Sequence, residues 1–227
     1  MRYVVSDLHG ELSLFERLLK RIGFSADDEM FVCGDLIEKG ERSIALAKYV
    51  LSFPNIRCVL GNHELAFLKY YHSLSEMSPD DFDAILGKLQ AYFPEDGYLL
   101  DWDLVDRLEA LPAYIEEDDF ICVHAGIPLD GASNPLPLCK ASPEELVNDR
   151  RFKDPHLSHN GSKCVFFGHT HTDCICGEPK LLGYRRRGER TGSIRDYYKV
   201  HLDTGAWKSG VLGCFCIDTQ KAIYIKK

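Results

Sequence analysis

The chain has 227 residues, 45% of them hydrophobic, which is enough to bury a sizeable core in one large domain. A formal net charge of −8 argues against a general attraction to nucleic acid or to an anionic membrane, and no run approaches the ~20 apolar residues of a membrane helix. The nine cysteines, with a first strand that begins at Arg2 in place of a secretory signal, favour reduced thiols and a cytoplasmic location over a disulfide framework.

Tyr3-Val4-Val5 reads as a short strand that runs into Ser6-Asp7-Leu8-His9-Gly10. Leu12, Phe15, Leu18, Leu19 and Ile22 share one helical face, and Gly23 is the stop. Met30 to Cys33 is a second buried strand, followed at once by Gly34-Asp35-Leu36-Ile37-Glu38-Lys39-Gly40. Ile44 to Leu51 gives a second helix, ended by Pro54. Ile56 to Leu60 is a third strand, running into Gly61-Asn62-His63-Glu64. This β-α-β-α-β order implies parallel strands with right-handed crossovers. Asp7 to Asp35 is 28 residues and Asp35 to Asn62 is 27, each about one strand-helix-strand unit. Ligands in open α/β sheets bind just beyond the carboxyl ends of the strands. Three adjacent strand ends would then present Asp7, His9, Asp35, Asn62 and His63 to one crevice, with Asp35 central. A central carboxylate flanked by nitrogen and oxygen ligands suits two divalent metals that share a bridge.

From Leu65 to Leu111 the apolar spacing turns helical, through Leu65, Leu68, Phe82, Ile85, Leu86, Leu89, Leu104 and Leu108, with Ser78-Pro79-Asp80 and Pro94 as punctuation. The block reads as a helical insertion beside the crevice, or as ordinary packing helices. Strand signals return at Ala113 to Glu116 and Phe120 to Val123, the second ending at His124-Ala125-Gly126. Prolines make 127–143 a loop, and Glu144 to Asn148 is a short helix leading to Asp149-Arg150-Arg151. Cys164 to Phe167 is a strand that stops at Gly168-His169-Thr170-His171. Residues 177–196 are polar and basic. Val200 to Leu202, Val211 to Ile217 and Ala222 to Ile225 read as closing antiparallel strands around Asp203-Thr204-Gly205.

These blocks, in this order, resemble the calcineurin-like metallophosphoesterase superfamily, and most of all its bacterial and phage-type phosphoprotein phosphatases and symmetrical diadenosine tetraphosphatases. The resemblance spans residues 6 to 205, with Asp203-Thr204-Gly205-Ala206 similar to the family's late strand. It implies an α/β fold of two mixed β-sheets in a sandwich flanked by helices, as one domain over 1–227 with a helical insertion near 65–111. It implies a phosphoester hydrolase that uses a hydroxide bridging two divalent metals, expected to be Mn with Fe or Zn as alternatives. Asp7 and His9 would hold the first metal, Asp35 would bridge, and Asn62, His124 and His169 would hold the second. His171 would lie at or near the first. His63 would be the acid that protonates the leaving oxygen. The expected substrate is a phosphorylated serine or threonine protein. The alternatives are a dinucleoside polyphosphate or other small phosphate ester, and a non-catalytic scaffold on the same fold.

The chain departs from the family pattern Gly-Asp-x-Val-Asp-Arg-Gly at two places. Glu38 stands where the family's Asp orients the acid histidine, and Lys39 where its Arg clamps phosphate. Lysine keeps the charge but loses the planar fork that matches a phosphoryl group. The second family Arg is matched by Arg150, with Arg151 as the fallback. Cys174 with Cys176 and Cys214 with Cys216 are spaced too tightly for a usual zinc pair. His72, His156, His159 and His201 lack ligand context. The run Arg185-Arg186-Arg187, with Arg190 and Arg195, would either attract a phosphorylated substrate or form a solvated loop face.

Overall fold

The computed structural model describes residues 1–75, 78, 81, 102–188 and 190–227. Phe82, Ile85, Leu86, Leu89, Pro79, Asp80 and Pro94, on which the middle of the helical-insertion reading rests, lie outside the described residues.

The chain begins with β1 (Arg2–Val5), α1 (Leu12–Ile22), β2 (Glu29–Val32), α2 (Ser43–Leu51) and β3 (Ile56–Cys58). β1 pairs with β2, and β2 with β3, all parallel. Helix α1 turns its apolar stripe of Leu12, Leu14, Phe15, Leu18 and Leu19 to the core, and Gly23 closes it in the left-handed conformation. Helix α3 (Asn62–Ser75) starts after a three-residue gap from β3, and α4 (Trp102–Glu109) packs beside it. Phe67, Leu68, Tyr71, Leu104, Val105 and Leu108 join the core formed by α1, α2 and β1 to β3.

The second half contributes β4 (Tyr114–Glu116), β5 (Phe120–Val123), α5 (Pro143–Asn148), β6 (Cys164–Phe167), β7 (Leu182–Arg185), β8 (Tyr197–His201), β9 (Val211–Cys216) and β10 (Lys221–Lys226). Helix α5 opens on a capping box, in which Ser142 and Glu145 satisfy each other's amides. Two five-stranded sheets result, in the orders β10-β9-β1-β2-β3 and β4-β5-β6-β8-β7. Both are mixed, as the resemblance implies: β9 runs antiparallel to β1, β4 to β5 and β7 to β8, whereas β5, β6 and β8 are parallel.

The continuous apolar runs follow from sheets buried on both faces, since alternate side chains point to opposite sides. Val4, Phe31 and Cys33 meet Phe120, Cys122 and Phe166 between the sheets. Tyr3, Val5, Met30 and Val32 face the helices, and Val123, Val165 and Phe167 pack on Leu146 and Phe152 on the far side.

Two expectations need correction. Val200 to Leu202, expected among the closing antiparallel strands, lies in β8, which is antiparallel to β7 but parallel to β6 in the second sheet; β9 and β10 are the antiparallel strands of the first sheet. Residues 177–196 are not merely a polar stretch, because they contain edge strand β7. Its pattern of half-buried and exposed residues carries too little apolar signal to read.

Candidate metal and phosphoryl site

The parallel strands β1, β2, β3, β5, β6 and β8 all end at one edge of the sandwich, and the candidate residues follow those ends. Asp7, His9, Asp35 and His169 have φ of 51°, 40°, 58° and 70°. Glu38 and Lys39 have 64° and 69°. Such a left-handed backbone is unfavourable for side-chain-bearing residues, and it clusters where surrounding structure holds a functional geometry. Part of the hold is Glu64. Its fully buried carboxylate accepts from the amides of Asp35 (2.9 Å), Leu36 (2.8 Å), Ile37 (3.1 Å) and Gly61 (3.0 Å). The close approach of the Asp35 and Asn62 loops needs glycine at 61, where a Cβ would lie 2.2 Å from Asp35 Oδ1.

Asp7, His9, Asp35 and His124 are all at most 2% exposed. Asp35 Oδ2 lies 3.3 Å from His9 Nε2, 3.4 Å from His124 Nε2 and 3.9 Å from His63 Nε2. His9 Nδ1 lies 3.0 Å from the Ile37 carbonyl and His124 Nδ1 lies 2.8 Å from the Cys33 carbonyl. Carbonyls only accept, so each Nδ1 donates, and each ring turns its Nε2 toward Asp35. Asn62 Oδ1 lies 2.9 Å from His124 Nε2 and 2.8 Å from His169 Nδ1. Those two nitrogens are 3.2 Å apart. Asp7 accepts from the His169 amide and from the Ser6 hydroxyl, and its Oδ1 lies 4.0 Å from His9 Nε2.

Among the described residues, two triads bring candidate ligand atoms close together, His9-Asp35-His63 and Asp7-Asp35-His124, and Asp35 belongs to both. Asp, Asn and His donors with no thiolate suit a hard-to-borderline divalent ion. Buried lone pairs this close repel one another unless a cation lies among them. Lys39 already shows that attraction, since its Nζ donates to His9 Nε2 at 3.1 Å. The residues fit the dinuclear centre that the sequence implies.

Protonation follows the same geometry. Burial alone would raise Asp35, but the imidazoles of His124 and His9 outweigh it and hold the carboxyl well below its usual range. Burial, then His124 and Arg150, push His169 down to about 3. Burial lowers His63, yet the Glu38 carboxylate bonded to its Nδ1 and the charge of Asp35 reverse this, so its pKa is raised overall.

The remaining predicted residues lie around this centre. Arg150 is exposed, and its Nη1 donates to Thr170 Oγ1 at 3.3 Å, beside His169. Arg151 instead folds back on Asp149 through Nε and Nη2 and faces solvent. His171 is half-buried against Trp207, at 6.0 Å between ring centroids, and within reach of the Asp7 charge. It falls in neither triad. The arginines from 185 to 195 are not brought to the site. Arg185 pairs with Tyr197 at the start of β8, and Arg186 donates to the carbonyls of Gly161 and Lys163 ahead of β6. They line a cavity of about 650 Å³ at the opposite end of the second sheet. Cys174 and Cys176 are exposed while Cys214 and Cys216 are buried, and all nine cysteines are free thiols. No described helix is long and apolar enough to cross a membrane.

Two residues of consequence have no assigned role in the sequence reading. One is Glu64, which stands beside the Asn-His pair but whose role lies in the backbone amides it accepts from. The other is Asp203, 1% exposed, which takes the Gly205 amide on Oδ1 at 2.8 Å. Burial and the neighbouring Asp7 push its carboxyl well above the usual range. It repeats the pattern that exposed Asp7 and Asp35, a carboxylate just past an apolar strand.

A family model described as calcineurin-like phosphoesterase matches residues 2–173. The symmetrical bis(5'-nucleosyl)-tetraphosphatase of Aggregatibacter actinomycetemcomitans is 30% identical over 155 residues, 66% of this chain and 53% of that protein. The protein of the same name from Pseudomonas fluorescens is 32% identical over 157 residues, 68% of this chain and 52% of its own. The chain thus spans about half the length of the curated relatives it matches. A crystal structure assigned provisionally as a diadenosine tetraphosphatase superposes with a TM-score of 0.71 at 20% identity, covering 99% of this chain and 92% of that one.

Proposed function

The chain belongs to the calcineurin-like phosphoesterase family, and on that footing we propose that it hydrolyses the phosphate anhydride of dinucleoside polyphosphates or a related small phosphate ester. The observation that carries the phosphoesterase reading is the central carboxylate: Asp35 Oδ2 lies within 3.9 Å of imidazole nitrogens of His9, His63 and His124. The tetraphosphatase names of the curated relatives support the dinucleotide over the phosphoprotein that the sequence first suggested. The shared interior of the two sheets supports reading 1–227 as one domain, and the insertion near 65–111 rests on the helical spacing and the resemblance alone.

Members of this family use a dinuclear divalent metal centre. Asp7 and His9 would hold one ion and Asn62, His124 and His169 the other, with Asp35 shared between them. His171 stands beside the first, and Mn is the expected metal. Such ions lower the pKa of water and neutralise charge on the phosphoryl group.

The chain's own residues would do the rest. His63 keeps its proton because its pKa is raised, and Glu38 fixes the ring through Nδ1. Nε2 then delivers a proton to the leaving oxygen. Arg150 and Lys39 supply positive charge to the phosphoryl oxygens, Arg150 in the fork geometry that suits them.

The test is a panel assay of the Mn-loaded protein on diadenosine tetraphosphate, p-nitrophenyl phosphate and a phosphoserine peptide. The dinucleotide is expected to give the highest kcat/KM. A phosphopeptide turned over faster than the dinucleotide would overturn the substrate reading.

A further inference from the structure

Lys199 lies in the middle of β8, fully buried. Its register partner on β6 is Val165, two residues short of the pair that ends beside the metal cluster. A lysine at that depth is costly unless its ammonium is compensated. The compensation is specific. Nζ donates to the carbonyl of Phe152 at 2.8 Å and to that of Asp154 at 2.7 Å. The rings of Tyr184 and Phe152 lie 4.8 and 5.0 Å away, and those of Phe167 and Tyr198 both 5.9 Å. Methionine would fill the same space but would leave two carbonyls without their donor.

Those carbonyls belong to the turn that follows Arg150. The segment is also held on its other side. The Ala125 amide donates to Leu146 O at 2.9 Å, and Phe152 lies so close to Gly126 that a Cβ there would come within 2.3 Å of it. Arg150 sits between these two anchors, and its contact with Thr170 is long at 3.3 Å. A small shift of the turn would break it, and displacement by about 1 Å costs ~10²-fold in a site that works by positioning.

We propose that Lys199 is a positioning residue for phosphoryl binding: its two carbonyl contacts set the turn at Phe152 to Asp154 and so place the Arg150 guanidinium at the metal cluster. This rests on the phosphate-clamping role given to Arg150 above.

The test is a double-mutant cycle of wild type, Arg150→Ala, Lys199→Met and the double variant. Each is assayed on diadenosine tetraphosphate, and its affinity for inorganic phosphate is measured by calorimetry, with metal content checked throughout. Lys199→Met is expected to lower kcat/KM and phosphate affinity about tenfold or more with metals retained, and to have no effect in the Arg150→Ala background. The same loss in both backgrounds, with Arg150→Ala itself costly, overturns the inference alone. An Arg150→Ala variant as active as wild type overturns the clamp and the inference together. If Lys199→Met fails to fold, Lys199→Gln, which keeps one donor, goes through the same cycle under the same criteria.

Discussion

The Glu38 carboxylate accepts a hydrogen bond from His63 Nδ1, and this leaves Nε2 as the nitrogen that faces Asp35. Both residues are about one-fifth exposed, so the pair forms the wall of the site and stays within reach of substrate. Glu38 itself sits at φ 64°.

His63→Asn is therefore expected to cost ~10²–10⁴-fold on esters with poor leaving groups, and much less on p-nitrophenyl phosphate, whose leaving group needs no proton. Metal content should not change. Glu38→Gln keeps an acceptor oxygen but loses the charge that raises His63, so it should cost less than His63→Asn. Steady-state kinetics on both substrate types, with elemental analysis, checks this. Equal losses on both substrates would contradict the acid role.

Asp35→Asn addresses the metal centre. The wild type is expected to bind two divalent ions per chain. Because Asp35 Oδ2 lies 3.3 Å from His9 Nε2 and 3.4 Å from His124 Nε2, which are assigned to different ions, the substitution should weaken both sites together. Titration followed by elemental analysis reads this directly. A variant that loses one ion and keeps the other at full affinity would show that Asp35 does not bridge.

How much of this the sequence carried depends on which signal each residue leaves. The parallel order β1-β2-β3 was legible because buried strands are apolar runs and the helices between them have a clear period. Asp7, Asp35, His124 and His169 were legible because each follows such a run, and the structure brings them together. Strand β8 was legible as a strand but not as a partner of β6, because pairing across a crossover leaves no local trace. The far-end position of the arginines was hidden by the same gap, since nearness to His171 along the chain says nothing once β7 carries the chain away. Glu64 illustrates a third case. Its role lies in four backbone amides, which no residue pattern encodes.

Gly168→Ala tests the close packing that places Asp7. A Cβ at 168 would lie 1.9 Å from Asp7 Oδ2 and 2.0 Å from Ser6 Oγ, so the carboxylate must move. The expected result is reduced metal affinity and a loss of kcat of ~10²-fold, comparable to misplacing a positioning group by about 1 Å. Isothermal titration with Mn, compared with wild type, is the measurement. Unchanged metal binding would mean that the loop shifts as a unit and keeps the ligand in place.

The last prediction concerns acid stability away from the metal cluster. His159 is 4% exposed, stacks on Phe152 and has Nε2 directed at the Tyr198 carbonyl. Burial is the largest influence on it. The hydrogen bond to Tyr198 opposes that influence, whereas the charges of Arg186 and Lys199 add to it, and its pKa falls from 6.5 to about 4. Between those values the unfolded chain binds a proton that the folded chain refuses, so stability rises with pH across this window. The contribution is fully present above 6.5 and is lost as the pH falls from 6.5 to about 4, on the order of 3 kcal/mol. Urea unfolding of wild type and His159→Phe at pH 4.5 and 7.5 should show it. Phenylalanine preserves the stack on Phe152 and cannot titrate, but it leaves the Tyr198 carbonyl without a partner, so the variant should be less stable at pH 7.5. Its decline on acidification should nevertheless be shallower than that of wild type. Parallel declines for the two proteins would show that His159 protonates in the fold as readily as in the unfolded chain, and that other groups govern the acid limb.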